Sequence, residues 1–389
     1  MNAPIRIALL GATGSIGQSA LAVVRRHPER FRVVALSAHR RVDDLAALVR
    51  EFTPEHVVVS DEEVPLPPGG GGWRRGAEAV SDLVRLDEVD VVVNAVMGAA
   101  GLAPTLAAVS SGKRLALANK ESLVAGGDLV LDAARRGGGE IVPIDSEHSA
   151  ILQCLAGCDR GAVRRIVLTA SGGPFRGRSR EELADVTPAD ALVHPTWQMG
   201  AKITIDSATL ANKALEVIEA HLLYGLDYDQ IDAVVHPQSI IHSFVEFVDG
   251  SVLAQVGEPT MELPILYALS WPGRIPDPAL QGYDPVASGP LTFEAIDEEA
   301  FPLFRVGVEA GRQGGVATAA FNAANEVAVA AFLEERLHFC EMAEVVAHAI
   351  QVVGCGVPTS IQEVVAADAE AREAAASAIA LNRRNSTTR

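Results

Sequence analysis

Asp145 and Glu147 stand two residues apart, directly after an apolar run at 141–144. In extended chain such a pair points to one side. Two carboxylates held on one side repel unless a cation or a proton lies between them. Hard oxygen ligands suit Mg²⁺ or Mn²⁺ rather than zinc. Asp145 and Ser146 could equally cap the following helix, and the two roles are compatible. A third carboxylate, Glu216, closes the segment 202–216, where a strand at 202–205 is expected to hand over to a helix at 210–224. On that helix Asn212 and Glu216 are four apart and share a face, with Lys213 beside them. A helix start offering Ser207, Asn212 and Lys213 suits a phosphate. Ala170-Ser171-Gly172-Gly173 adds a hydroxyl and backbone N–H donors after a strand. His194-Pro195-Thr196-Trp197-Gln198-Met199-Gly200 combines a titratable ring, a large aromatic and a flexible end, as a lid would. His148, His236 and His242 read as structural.

The N-terminal part carries a second chemistry. Gly11-Ala12-Thr13-Gly14-Ser15-Ile16-Gly17 follows an apolar run at 5–10 and precedes a helical pattern. Glycines there let the backbone approach a pyrophosphate seated on the helix N-terminus. The next strand ends in Ser37-Ala38-His39-Arg40-Arg41, not in the acid that binds the ribose 2′-hydroxyl of NAD. Paired arginines attract a 2′-phosphate, so the expected cofactor is NADPH. Lysine occurs only at 113, 120, 202 and 213. One of the four lies in Asn119-Lys120-Glu121, a polar triplet after an apolar strand, where ligands of open α/β sheets bind. Asn94 ends the strand before it.

These residues need a scaffold. Apolar runs at 5–10, 31–36, 56–59, 89–93, 113–118 and 140–144 alternate with helical patterns at 19–26, 42–50, 103–110 and 123–136. That rhythm implies an α/β fold with an N-terminal Rossmann-type, doubly wound parallel sheet. Strands are expected at 165–169, 202–205, 233–235 and 251–255 in an α+β catalytic and connective domain. A C-terminal helical domain includes helices at 317–335 and 340–352. The expected divisions are an NADPH-binding domain over 1–145, the α+β domain over 146–270, a Pro/Gly-rich linker over 271–293, the helical domain over 294–381 and a frayed tail over 382–389. Of 389 residues 49% are hydrophobic, enough for several cores, and the net charge of -18 disfavours nucleic acid and anionic membranes as partners. The N-terminus has no apolar run of signal-peptide or membrane-helix length, so a cytoplasmic location is expected. Cys154 and Cys158 share a helix face, but no second pair has zinc spacing, so Cys154, Cys158, Cys340 and Cys355 read as ordinary thiols.

Taken in order, GATGSIG, ANKESLV, PIDSEHSA, ASGGPF, HPTWQMG, DSATLANKALEVIEA, HPQSIIHS and GEPTMELP resemble the 1-deoxy-D-xylulose 5-phosphate reductoisomerase family over nearly the whole chain. The resemblance implies a homodimeric enzyme of isoprenoid biosynthesis. Its ketose phosphate substrate rearranges to 2-C-methylerythrose 4-phosphate, which NADPH reduces to 2-C-methyl-D-erythritol 4-phosphate. It implies a pyrophosphate loop at Thr13, Gly14, Ser15 and Ile16, and further NADPH contacts at Asn119, Glu121 and Gly200. It implies metal ligands at Asp145, Glu147 and Glu216. Substrate contacts are implied at Lys120, Ser146, Glu147, Ser171, His194, Ser207, Asn212, Lys213 and Glu216, with Trp197 as the lid aromatic. Lys120, Glu147 and His194 are the candidates for catalysis. Where this family often has Gly-Lys-Asn the chain has His39-Arg40-Arg41, which keeps positive charge and loses the glycine. Two other readings use the same loop: a metal-free NADP-dependent dehydrogenase, and a non-enzymatic NADPH-sensing module.

Overall fold

The computed structural model describes residues 3–197 and 199–386. Gln198 of the expected lid and residues 387–389 of the expected tail lie outside them. In chain order the strands are β1 (Ile5–Leu10), β2 (Phe31–Ala38), β3 (His56–Val59), β4 (Arg74–Arg75), β5 (Val91–Asn94), β6 (Arg114–Leu117), β7 (Glu140–Pro143), β8 (Val163–Ala170), β9 (Ile231–Val235), β10 (Ile241–Phe247), β11 (Val252–Val256) and β12 (Glu294–Ala295). The helices are α1 (Ser15–Arg26), α2 (Val42–Phe52), α3 (Ala77–Leu83), α4 (Leu102–Ser110), α5 (Lys120–Gly137), α6 (Ser146–Cys154), α7 (Pro188–Ala191), α8 (Ala201–Ala208), α9 (Ala211–Tyr224), α10 (Glu262–Ser270), α11 (Pro302–Gln313), α12 (Ala317–Leu333), α13 (Met342–Val353) and α14 (Ile361–Ser386).

The chain divides into two compact units. The first comprises Met1–Leu123, Val130–Ser149 and Thr260–Gln281. Its seven parallel strands run β4-β3-β2-β1-β5-β6-β7. Strands buried on both faces read as continuous apolar runs, which makes all but the exposed β4 legible in the sequence. Ala8 and Leu10 of β1 and Val92 and Val93 of β5 are wholly buried. The chain builds outward from β1 to β4, then returns to place β5 on the other side of β1. That reversal opens a crevice at the carboxyl ends of β1 and β5, where such sheets bind nucleotides.

The second unit comprises Val124–Leu129, Ala150–Pro259 and Gly282–Arg389. Its sheet runs β11-β10-β8-β9-β12, with β8 and β9 parallel and the other pairs antiparallel. Its core joins Ile166 and Leu168 of β8, Leu215 and Ile218 of α9, and Phe321 and Phe332 of α12. Small residues bring the helices close. A Cβ added at Gly307 of α11 would stand 2.5 Å from Phe321 Cζ and 2.6 Å from Ala214 Cβ.

Several expectations change. Residues 202–205 form part of helix α8, not a strand. Ile203, Thr204 and Ile205 favour strands intrinsically, but Thr204 and Ala208, four apart, are buried together with Ile205, the period of a helix and not of a strand. The strands β4 and β10 and the helices α3, α10 and α11 add to those expected. Residues 294–295 form the short strand β12, and helix resumes at Pro302. The stretch 260–281, half of it read as linker, groups with the first unit, so the expected divisions do not coincide with the two units. Helix α14 continues through the first five residues of the expected tail. Among the described residues no helix is long and apolar enough to cross a membrane. The four cysteines are free thiols.

Candidate functional site

The glycine loop lies between β1 and α1. Gly11 has φ +74°, and a Cβ there would stand 2.5 Å from the Ala95 carbonyl oxygen. A Cβ on Gly17 would stand 2.5 Å from the Gly11 oxygen. Only glycine fits either position, and the loop it permits leads to Gly14, the cap of α1. No side chain caps that helix, so its first-turn N–H groups face the loop, the arrangement that accepts a phosphate. The cradle therefore fits a dinucleotide. Thr13 is buried, while Ser15 is exposed.

His39, Arg40 and Arg41 follow β2 and are exposed. The Arg40 Nε donates to Asp61 Oδ2 at 2.6 Å, and Arg41 lies 3.7 Å from Asp44. The His39 Nδ1 is 3.0 Å from the Ser60 hydroxyl. Arg40, and next the Glu63 backbone amide, hold the Asp61 carboxyl below the ordinary range. Asp61, after β3, was not singled out in the sequence. A carboxylate orienting an arginine across two strands has no local signature.

The polar triplet after β6 is split between structure and chemistry. Asn119 caps α5 by accepting from Ser122 N at 2.7 Å, and its amide donates to the Val96 and Gly98 carbonyls. It thereby fixes the loop after β5. Asn94 likewise donates to the Gly101 carbonyl and Thr105. Glu121 is half-buried in the first turn of α5.

Lys120 turns inward. Its Nζ lies 2.5 Å from Asp145 Oδ2, with the two side chains 7% and 12% exposed. Asp145 Oδ1 also accepts from His148 Nδ1 at 2.9 Å and from Glu147 N at 3.2 Å. Burial alone would raise the Asp145 carboxyl, but Lys120 and His148 outweigh it and hold it well below the ordinary range. Oxygens of Asp145 and Glu147 lie within 4.8 Å of one another, and the Ser146 hydroxyl donates to Glu147 at 2.6 Å. Two ionisable oxygens side by side, with no nitrogen or sulfur required, fit a hard divalent cation.

In the second unit the structure gathers Ser171, His194 and Ser207. The His194 Nε2 is 3.0 Å from Ser171 Oγ and 3.1 Å from Ser207 Oγ. Its Nδ1 accepts from the backbone N–H groups of Thr196 and Trp197 at 3.1 and 2.8 Å. Those donors assign the ring proton to Nε2, which faces the two hydroxyls. Burial lowers the imidazole below its ordinary value, favouring the neutral ring. Gly173 makes the approach possible: with φ +66°, its Cβ would stand 2.6 Å from the Ser207 carbonyl oxygen. One N–H and two hydroxyls converging beside a glycine turn suit a phosphate oxygen. Trp197 is half-buried, and Gly200 caps α8 without a side chain.

The turn from α8 to α9 passes through Leu210, a buried residue at φ +60°. It aims α9 so that Glu216, 2% exposed, meets its own helix neighbours. Glu216 Oε1 accepts from Asn212 Nδ2 at 2.6 Å, and Oε2 accepts from Lys213 Nζ. Lys213 also donates to the Thr169 carbonyl at the end of β8. The expected structural histidines are anchored: His236 to the Thr292 carbonyl and His242 to the Gly257 carbonyl.

The chain matches three family profiles in succession. They are 1-deoxy-D-xylulose 5-phosphate reductoisomerase over residues 7–127, its C-terminal domain over 141–224, and a further DXP reductoisomerase C-terminal domain over 256–374. A 1-deoxy-D-xylulose 5-phosphate reductoisomerase of Xanthomonas oryzae pv. oryzae is 51% identical, over 96% of this chain and 97% of that protein. One of Burkholderia multivorans is 49% identical, over 96% of each. The crystallised Zymomonas mobilis reductoisomerase in complex with NADPH superposes with a TM-score of 0.90 at 43% identity, covering 97% of this chain and 99% of that one. A reductoisomerase in complex with NADPH, fosmidomycin and magnesium gives 0.89 at 40% identity, covering 97% and 99%.

Proposed function

The chain belongs to the 1-deoxy-D-xylulose 5-phosphate reductoisomerase family, and from that premise we propose how its residues divide the work. The enzyme rearranges and reduces 1-deoxy-D-xylulose 5-phosphate to 2-C-methyl-D-erythritol 4-phosphate for isoprenoid synthesis, using NADPH and a divalent cation, Mg²⁺. The single observation that carries this reading is Asp145, held between Lys120 and His148 with the Glu147 carboxylate beside it, after the last strand of a dinucleotide sheet. A metal-free dehydrogenase or a sensing module gives that pair no task.

Asp145, Glu147 and Glu216 hold the cation, while Thr13, Gly14, Ser15 and Ile16 cradle the pyrophosphate. Arg40 and Arg41, with His39, receive the 2′-phosphate, and Asn119, Glu121 and Gly200 border the cofactor. When bound, the cation polarises the ketone and acidifies the neighbouring hydroxyl, and NADPH supplies hydride.

The protein's residues do the rest. Ser171, His194, Ser207, Asn212 and Lys213 bind the phosphate, which gives remote binding energy to orient the reacting carbons. The neutral His194 ring donates from Nε2. Ser146 orients Glu147 through its hydroxyl. Lys120 and Glu147 move protons at the substrate oxygens, and Trp197 excludes water over them. NADPH oxidation with the ketose phosphate, with and without Mg²⁺, tests the assignment. Oxidation that persists after complete chelation would remove the metal from it.

The active form is a cytoplasmic homodimer. β11 is an edge strand that leaves Val252, Leu253 and Val256 exposed (52%, 45% and 37%). A second copy of the chain is the partner that such an apolar edge suits. A monomer mass by light scattering at assay concentration would exclude it.

A further inference from the structure

Asp206 is a buried carboxylate that the chemistry above leaves without a task. It is 1% exposed and immediately precedes Ser207 in α8. Lys202, one turn earlier, lies 2.9 Å from its Oδ2. Its Oδ1 accepts from the Nδ2 of Asn325 at 2.7 Å, across 119 residues of sequence. Asn325 is fully buried in α12, whose other buried residues are mostly alanine and phenylalanine, with Thr318 and Asn322 also buried. Its own Oδ1 has no hydrogen-bond partner among the described residues. An unsatisfied buried amide oxygen is costly, and an apolar residue would avoid it. The position is therefore used for the one bond that its nitrogen makes.

We propose that Asp206 and Asn325 are positioning residues for the phosphate end of the substrate: their bond sets α8 on α12 so that the Ser207 hydroxyl meets His194. The ends of α8 do not fix its rotation. Its start is Gly200, with no side-chain cap, and its end runs into the left-handed Leu210. Asp206 is bonded both within α8, through Lys202, and to α12, through Asn325. A turn of α8 by a fraction of a residue would carry Ser207 out of the 3.1 Å contact with His194 Nε2. The inference rests on the reading that Ser171, His194 and Ser207 hold the phosphate.

The test compares Asn325→Ala, the exchange Asp206→Asn with Asn325→Asp, and Ser207→Ala. The assays are turnover of the ketose phosphate, inhibition by inorganic phosphate, and NADPH affinity. Asn325→Ala should raise the substrate KM and weaken phosphate inhibition about tenfold, with kcat and NADPH affinity within about threefold. The exchange keeps one carboxylate and one amide in contact, so it should bring both constants back toward wild type. Unchanged phosphate inhibition in Asn325→Ala overturns the proposal if Ser207→Ala weakens it. Unchanged inhibition in Ser207→Ala overturns the underlying phosphate reading instead. An equal loss in kcat, NADPH affinity and substrate KM would mark a general structural role and also overturns it. If Asn325→Ala does not fold, Asn325→Ser is read in the same assays by the same outcomes.

Discussion

Lys120 and Asp145 form a covered ion pair at 2.5 Å, joining the first residue of α5 to a residue two positions past β7. The ammonium keeps the carboxylate ionised in a buried place, ready for a second cation. Removing it leaves a carboxylate with one charge-bearing neighbour fewer. Lys120→Gln should destabilise the metal-free protein by about 3 kcal/mol, the scale for breaking a covered pair. Mg²⁺ should then raise the melting temperature more in the variant than in the wild type. Equal increments in the two proteins would contradict the placement of Asp145 among the metal ligands.

Glu216 is clamped from both sides by Asn212 and Lys213. Glu216→Gln preserves the shape and removes the charge. Turnover should drop about a hundredfold or more, with the far-ultraviolet spectrum unchanged. A variant with wild-type kcat at saturating Mg²⁺ would remove Glu216 from the metal set.

Arg40 and Arg41 are exposed, and Arg40 is oriented by Asp61. Arg40→Ala combined with Arg41→Ala should raise the KM for NADPH about tenfold or more and leave that for NADH within about threefold. Parallel changes for the two cofactors would show that these arginines serve the loop and not the 2′-phosphate.

Asp277, in the stretch read as linker, is fully covered and anchors it to the first unit. Arg26 donates to it at 2.7 and 2.9 Å, and His27 Nε2 lies at 3.1 Å. Burial acts to raise this carboxyl, but Arg26, the Ala279 amide and His27 bring it down to about 2. In the unfolded chain it titrates near about 3.9. The pair's contribution is therefore complete above pH ~4 and disappears as pH falls through ~2. Asp277→Asn should cost on the order of 1–2 kcal/mol at pH 7 in urea unfolding, after allowance for the half-exposed rim around Arg26. The gap between the two proteins should close between pH ~4 and ~2. A gap that stays constant across that range would show that packing, not charge, holds the segment.

Local pattern determined much of this protein. Six of the seven parallel strands of the first sheet are legible because burial makes each an apolar run, while the exposed pair Arg74-Arg75 of β4 carries no such signal. The loop at Gly11–Gly17 is legible because its two positions that leave no room for a Cβ, 11 and 17, can be written only in glycine. Asp145 and Glu147 are legible because two acids after an apolar strand have few stable settings. Other features depend on where the chain goes afterwards. The run Ile203-Thr204-Ile205 reads as strand by propensity and becomes helix where α8 packs against α9 and α12. His242 and Ser243 lie inside β10, between β11 and β8, bonded to chain distant in sequence. Arg40 meets Asp61, and Asn325 meets Asp206, through hydrogen bonds that leave no period or spacing behind. His194, Ser171 and Ser207 could each be named from the sequence. That one imidazole proton faces both hydroxyls was decided by the tertiary structure alone, since a hydrogen bond is set by distance and direction between segments that the local sequence does not encode.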